Sequence, residues 1–266
     1  MNYFIRLMTD GDIPAGMQLK ALASWNQTEA DWRVFLSANP AGCFAAVCNG
    51  QVVGTTTVIR YGPSLAWIGM VLVHPDHRAQ GIATALMRNA LEHAADCPAI
   101  KLDATAAGQR VYEALGFVEE STVKRLTTSC LADVGEPTEG VFPVRNSQWQ
   151  SVLEMDRTTF GGDRTLLFET LRKSAPEIAL TLMNRERIAA CCLGRPGSTF
   201  TQLGPVIAES TEDAQRLTRV ALRQLVGQPI VVDIPSTHVD FTKWLTNHGF
   251  TPQRHFVRMI RGENHI

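Results

Sequence analysis

Leu115-Gly116-Phe117 recurs as His248-Gly249-Phe250, and the order of elements around the first triplet recurs around the second at the same offset of 133. Val73 then falls on Val206, and a helix opening at Gly81 falls on one opening near Ala214. Such self-similarity means one supersecondary plan built twice. A chain of 266 residues has room for two ordinary domains. The boundary is expected in Leu131–Gly140, where Asp133, Gly135, Glu136, Pro137 and Gly140 leave little apolar content. The expected division is therefore 1–131, a linker 132–140, and 141–266.

Both copies read as alternating strands and helices. In the first, Tyr3–Met8 is a strand, Pro14 lies in the first turn of a helix, and Thr28-Glu29-Ala30-Asp31 caps a second helix. Asn49-Gly50 is a hairpin signal between Gly42–Cys48 and Gln51–Arg60. Trp67–Val73 is a buried strand, Ile82–Ala95 an amphipathic helix, Ile100–Asp103 a short strand and Gln109–Leu115 a short helix. Phe117–Leu131 holds one or two closing strands. In the second copy, helices are expected at Ser147–Phe160, Thr165–Ser174, Glu212–Val226 and Asp240–Asn247. Strands are expected at Ile178–Met183, Ile188–Leu193, Phe200–Ile207, Pro229–Ile234 and Phe256–Arg261.

The stretch Val71–Met87 carries the chemistry. The strand breaks at Pro75, which has no N–H for a ladder, and the chain passes through Arg78-Ala79-Gln80-Gly81-Ile82-Ala83 into the helix. A helix N-terminus at the end of a sheet presents unpartnered N–H groups and partial positive charge, which suit a phosphate. Gly81 and Ala83 let an anion approach those amides, and Arg78 adds a fixed charge. Neither Gly-x-Gly-x-x-Gly nor Gly-x-x-x-x-Gly-Lys-Ser/Thr occurs in this turn, and an ordinary strand–helix connection explains its small residues equally well. The copies differ here: Arg78, Gly81 and Ala83 become Thr211, Ala214 and Arg216, and Tyr112 becomes Leu245. Arg216 is expected to crowd the second copy's amides.

Composition narrows the partners. Hydrophobic residues make up 45% of the chain and charged residues 19%, which means a packed core. A net charge of −1 gives no electrostatic reason to bind nucleic acid or an anionic membrane, so neither is an expected partner. The six cysteines, at 43, 48, 97, 130, 191 and 192, suit neither a zinc site nor a disulfide framework. No metal is expected, and a reducing cytoplasm fits. The start Met-Asn-Tyr-Phe-Ile-Arg is unlike a signal peptide, and no apolar run reaches the roughly 18 residues that span a bilayer.

Val73-x-Pro75-x-x-Arg78-x-x-Gly81-x-Ala83 resembles the acetyl-CoA-binding motif of the GNAT N-acetyltransferases, Arg/Gln-x-x-Gly-x-Gly/Ala. Val111-Tyr112-Glu113-Ala114-Leu115-Gly116-Phe117 resembles that family's second signature, Tyr-x-x-Leu-Gly-Phe. The whole chain resembles a tandem GNAT protein with a degenerate C-terminal copy. Leu102–Gly108 and Phe160–Arg164 resemble segments of that subgroup.

The resemblance implies an α/β fold, with a central twisted mixed sheet flanked by helices in each half and two middle parallel strands that splay. It implies acetyl-CoA as co-substrate. Backbone groups of Val71, Leu72 and Val73 would meet the pantetheine and the acetyl carbonyl. Arg78 and the segment Ala79, Gln80, Gly81, Ile82, Ala83 and Thr84 would hold the pyrophosphate. Tyr112 would sit near the sulfur.

Acetyl transfer to an amine needs a neutral nucleophile, a stabilised oxyanion and a protonated leaving thiolate. Tyr112, with an ordinary pKa of about 10, suits the last task, and packing on its short helix is the competing reading. Many GNAT enzymes place a Glu on the strand before the turn, but Trp67–Val73 has no acid. Asp103 is the best nearby carboxylate for the base; the alternatives are that it caps the Tyr112 helix or that water serves. His74 and His77 fit surface or adenosine-edge positions. Trp25, Tyr61 and Trp67 either line an acceptor pocket or lie in the core. Asp163 and Arg164, after Gly161-Gly162, are expected on a mobile loop, where the two unlike charges either bind a zwitterion or, as surface charges usually do, face solvent.

The expected activity is transfer of acetyl from acetyl-CoA to a primary amine of a small molecule, by a monomer. The alternatives are a protein or peptide amine as acceptor, and a non-catalytic acyl-CoA-binding module.

Overall fold

A computed structural model describes residues 2–131, 134–136 and 138–263. Asp133 and Pro137 of the expected linker lie outside the described residues. The chain forms two compact units, Met1–Glu120 with Val257–Ile266, and Ser121–Phe256. This differs from the expected 1–131 and 141–266 because the closing strand of each half pairs with a strand of the other half.

In the first unit, β1 (Tyr3–Leu7), β2 (Cys43–Cys48), β3 (Gln51–Arg60), β4 (Leu65–Val73) and β5 (Ala99–Ala104) lie in that order. Their sixth neighbour comes from the end of the chain: Val257–Gly262 runs antiparallel to β5, with Arg258 opposite Asp103 and Ile260 opposite Lys101. Asn49 and Gly50 both take positive φ, 51° and 80°, the conformation a two-residue hairpin needs to match strand twist.

Helices α1 (Ile13–Leu22) and α2 (Glu29–Ala38) cover one face around Met8, Leu19, Trp32, Cys43, Met70 and Leu72. Thr28 and Asp31 form the expected cap: Thr28 N donates to Asp31 Oδ2 at 2.6 Å, and Asp31 N donates to Thr28 Oγ1 at 3.4 Å. Helices α3 (Ile82–His93) and α4 (Ala106–Glu113) cover the other face, around Ile68, Met87, Ile100, Leu102 and Tyr112.

The second unit repeats the plan. Its strands are ordered β6-β11-β10-β9-β8-β7, with β6 (Val118–Thr128) entering from the first half. The others are β7 (Val141–Pro143), β8 (Leu180–Asn184), β9 (Arg187–Arg195), β10 (Thr201–Ala208) and β11 (Ile230–Pro235). Helices α5 (Trp149–Phe160), α6 (Thr165–Ser174), α7 (Thr211–Gln224) and α8 (Val239–Asn247) cover them. The last strand, β12 (Thr251–Gly262), crosses from this unit to the first. β7 has no counterpart in the sequence reading: three residues are too few to show a period.

Arg164 does not face solvent. It donates from Nε to Asp156 Oδ2 at 3.2 Å, and its Nη2 bonds Asp156 Oδ1. Its guanidinium lies 3.9 Å from the Phe160 ring centroid and 5.2 Å from that of Phe168. Asp156 on α5 is buried, so the arginine is its charge partner. Asp163 accepts from Thr165 N at 2.9 Å, an i to i+2 turn just before α6.

Candidate active site

The parallel strands β4 and β5 pair only over Leu65–Trp67 and Ala99–Lys101. Beyond Trp67 they separate. The cause lies on the other side of β4. The register with β3 shifts between Thr55 opposite Leu72 and Thr57 opposite Gly69, and Met70 takes a φ of 51°. This bulge puts Trp67 and Gly69 on the α1–α2 face, then turns Val71 and Val73 toward α3. Val71 packs beside Met87 and Tyr112, and Val73 beside Ile82 and Leu86. Backbone groups of β4 therefore face a gap instead of a ladder.

The gap leads to the turn. His74 N donates to Val53 O at 2.8 Å, and Arg78 N to Pro75 O at 3.2 Å. Arg78 is exposed, and its Nε donates to Val73 O at 3.2 Å, which anchors the side chain beside the turn. Gln80 Nε2 donates to Asp76 O at 3.3 Å. Ala79 and Gly81 have φ of 59° and 79°. Left-handed residues at alternate positions gather successive N–H groups on one side, the arrangement that cradles anions. The first helical bond of α3 runs from Ala85 N to Gly81 O, so the N–H groups of Ile82, Ala83 and Thr84 have no acceptor within the helix. Gly81 is exposed; a side chain there would be in strained backbone and beside the Tyr3 hydroxyl, 3.8 Å from its Cβ. Nothing local in the sequence places Tyr3 at this turn; it arrives there through β1.

The second copy shows what an occupied helix end looks like. Ser210 Oγ accepts from Asp213 N at 3.1 Å and donates to Asp213 Oδ2 at 2.7 Å. Glu212 and Asp213 put negative charge in the first turn of α7. The amides are capped and an anion is repelled. Arg216 does not crowd them: its Nη2 donates to Glu139 O at 3.2 Å, and its Nη1 lies 3.6 Å from Asp213 Oδ1. The strand geometry survives in this copy, with β10 and β11 pairing only at Thr201–Gln202 and Ile230–Val231 and a register shift after Leu203.

Tyr112 lies on α4 in the core cluster of the α3–α4 face, its ring edge-on to Phe117 at 6.2 Å. Burial pushes its phenol up to about 12, above the ordinary value expected from sequence. Gly108 leaves room for the ring: a Cβ there would lie 2.8 Å from Tyr112 Cε2.

Asp103 lies on the opposite face of β5. Arg258 donates to it twice, Nε to Oδ1 at 2.8 Å and Nη2 to Oδ2 at 3.1 Å, and stacks 4.9 Å from the Trp67 ring centroid. Asp103 does not cap α4, whose N-cap is Thr105. Lys101, one step along the same face, bonds Glu120 Oε1 at 2.8 Å. Trp25 packs against the α1–α2 cluster. His74 Nδ1 accepts from Asp76 N at 3.3 Å, and the His74 and His77 rings meet edge-on at 5.8 Å. The site thus brings together Val71–Thr84 and Tyr112 around one face of the splayed strands. Asp103 stands on the other face, tied to a strand from the far end of the chain.

Comparison with known proteins identifies the family. Residues 16–117 match the model of the acetyltransferase (GNAT) family, and residues 152–266 match an acetyltransferase (GNAT) domain model. An uncharacterized N-acetyltransferase of Bacillus subtilis, YitH, is 24% identical over 204 residues, covering 76% of this chain and 71% of its own. A crystal structure from Pyrococcus horikoshii, provisionally named an acetyltransferase, superposes with a TM-score of 0.82 at 25% identity, covering 98% of this chain and 90% of that one. A tandem GNAT protein from the clavulanic acid biosynthesis pathway shares the fold, with a TM-score of 0.71 at 14% identity over 99% of this chain and all of its own. With one GNAT domain in each half, the chain belongs to the GNAT acetyltransferases as a tandem member.

Proposed function

We propose that this protein moves the acetyl group of acetyl-CoA to a primary amine of a small molecule, by direct attack of the amine on the thioester. The observation that carries the reading is the contrast between the two turns. One offers uncapped amides beside Arg78 and Gly81, and its duplicate is capped by Ser210 and Asp213.

The donor's pyrophosphate would lie on the N–H groups of Ala79–Thr84, and its pantetheine along Val71, Leu72 and Val73 in the gap. A β4 amide there suits the carbonyl oxygen as negative charge builds. The amine nitrogen bonds the carbonyl carbon, its proton passes to solvent, the carbon–sulfur bond breaks and the thiolate takes up a proton. A phenol at about 12 stays protonated throughout the neutral range. Tyr112 therefore stabilises the departing sulfur as a hydrogen-bond donor, because handing the proton over completely to a thiolate of ordinary basicity is uphill. Both carboxylate oxygens of Asp103 already accept bonds from Arg258, so an amine proton competes there with a guanidinium. Water is the better proton acceptor, and Asp103 is assigned to holding β12. The near-neutral charge and the absence of a long apolar helix among the described residues fit action on a dissolved substrate in the cytoplasm.

The test is thiol release from acetyl-CoA across a panel of primary amines. Turnover with a small amine supports the reading. Tight acetyl-CoA binding without turnover of any amine overturns it, and turnover only with peptide N-termini or protein lysines replaces the acceptor class.

A further inference from the structure

The α1–α2 face of the first unit carries a feature that neither packing nor the donor site explains. Three consecutive threonines on β3 are buried, and two of them tie the β4 bulge. Thr55 Oγ1 donates to Met70 O at 2.8 Å and Thr56 Oγ1 to Gly69 O at 3.4 Å. Thr57 Oγ1 has no hydrogen-bond partner among the described residues, although Thr57 is only 1% exposed. A buried hydroxyl without a partner costs stability that a valine of the same shape would not.

Gly69 stands opposite Thr57, and no backbone reason requires glycine there, since its φ is not in the left-handed region. A Cβ at Gly69 would meet only Thr57 Oγ1, at 3.6 Å, an ordinary contact. Alanine would therefore fit, and a glycine inside a strand is a cost to folding. Two neighbouring residues each give up stability, and together they leave a methyl-sized recess over the half-exposed Gly69, with the Thr57 hydroxyl behind it and itself shut off from solvent. The recess lies one residue past Trp67 and Ile68, where β4 parts from β5. The donor turn and Tyr112 belong to the other face of the sheet.

The geometry points to Thr57 as the residue that receives the acceptor amine. Its Oγ1 accepts a hydrogen bond from an N–H of the neutral primary amine seated over Gly69, which leaves the nitrogen lone pair free for the thioester carbonyl in the gap. This rests on the acetyl-transfer reading above and adds to it the group that orients the nucleophile.

Steady-state kinetics test it, with ethanolamine, glucosamine, lysine and spermidine as acceptors, alongside thermal melts and acetyl-CoA titrations. Thr57→Val is expected to fold at least as stably as the wild type and to bind acetyl-CoA unchanged, while KM for the amine rises about three- to tenfold. Thr57→Ser, which keeps the hydroxyl, restores it. Gly69→Ala is expected to raise the melting temperature and KM for the amine together, since it fills the recess. Wild-type amine kinetics in both Thr57→Val and Gly69→Ala would overturn the assignment while leaving acetyl transfer standing. A wild type that binds acetyl-CoA and turns over none of the amines removes the acetyl-transfer reading, and the role of Thr57 with it.

Discussion

Asp103 and Arg258 face each other across β5 and β12 and share two hydrogen bonds, of 2.8 and 3.1 Å, although 155 positions separate them in the chain. Arg125 and Asp233 make the same two-point pair across β6 and β11, both bonds 2.7 Å. The second pair sits in the copy whose turn is capped by Ser210 and Asp213. A pair found beside a capped turn as well as an open one belongs to the architecture: each pair fastens an exchanged strand to its neighbour.

Asp103→Asn should then behave like Asp233→Asn. Each is expected to destabilise its unit by about 1 kcal/mol, since both partners are partly exposed and solvent screens the charge. Amine kcat should stay within a few-fold of wild type in both. Loss of kcat by orders of magnitude in Asp103→Asn alone, with an unchanged melting temperature, would return Asp103 to the role of base.

Gly81→Ala and Gly81→Glu separate backbone strain from charge at the turn. The alanine must hold a left-handed conformation, which costs about 1–2 kcal/mol, so weaker acetyl-CoA binding of about tenfold is expected. The glutamate adds a carboxylate against the bound pyrophosphate, and calorimetry should detect no binding. Undiminished affinity in Gly81→Glu would place the donor elsewhere.

Tyr112→Phe removes the phenol and leaves the ring. Loss of kcat by about 10²-fold, with acetyl-CoA affinity retained, is expected of a group that helps the leaving thiolate. Gly108→Ala probes the same residue from outside the site, because its methyl would collide with the Tyr112 ring. It should lower kcat in the same sense despite raising helix propensity.

Arg164→Ala should leave Asp156 buried without its partner. Removing one member of a buried pair typically costs about 3–5 kcal/mol, seen here as an early unfolding step of the second unit. Activity of the folded fraction should persist, and its selective loss in a fully stable variant would mark Arg164 as a site residue.

His93 supplies a pH dependence. Asn39 Nδ2 donates both to Val58 O and to His93 Nε2, each at 3.0 Å, so that ring nitrogen must be an unprotonated acceptor. Burial, and then the nearby Arg60 charge, lower its pKa in the folded state. The unfolded chain therefore takes up the proton first. Stability is full above the ordinary histidine value of about 6.5 and declines as pH falls below it, levelling off once the folded state also protonates. His93→Gln should flatten that decline in urea melts between pH 7 and 5; an unaltered slope would exclude His93 as its source.

What the sequence disclosed is what short-range chemistry controls. Asn49-Gly50, Thr28 with Asp31, and Pro75 through Gly81 each set their own backbone within a few residues, and the folded chain shows the hairpin, cap and turn as expected. Long-range pairing left no such mark. Nothing near Phe256–Arg261 says that this strand lies on β5, and nothing near Asp103 says that it meets Arg258. Arg164 reads as a surface charge and Arg216 as crowding its turn, because their partners, Asp156 and the Glu139 carbonyl, are recognisable only after helices pack. Thr57 and Gly69 were silent for the same reason: a hydroxyl without a partner is visible only once every neighbour is placed.

The exchanged strands also bear on how such a chain can be inherited. Each sheet is finished by a strand encoded in the other half, β6 for the second and β12 for the first. A truncation after the first copy would strip β5 of its neighbour and open a new sheet edge there. The second copy is therefore free to vary at its turn but not at its last strand. It persists as the donor of one strand, and any engineered single-copy version must bring Val257–Gly262 along.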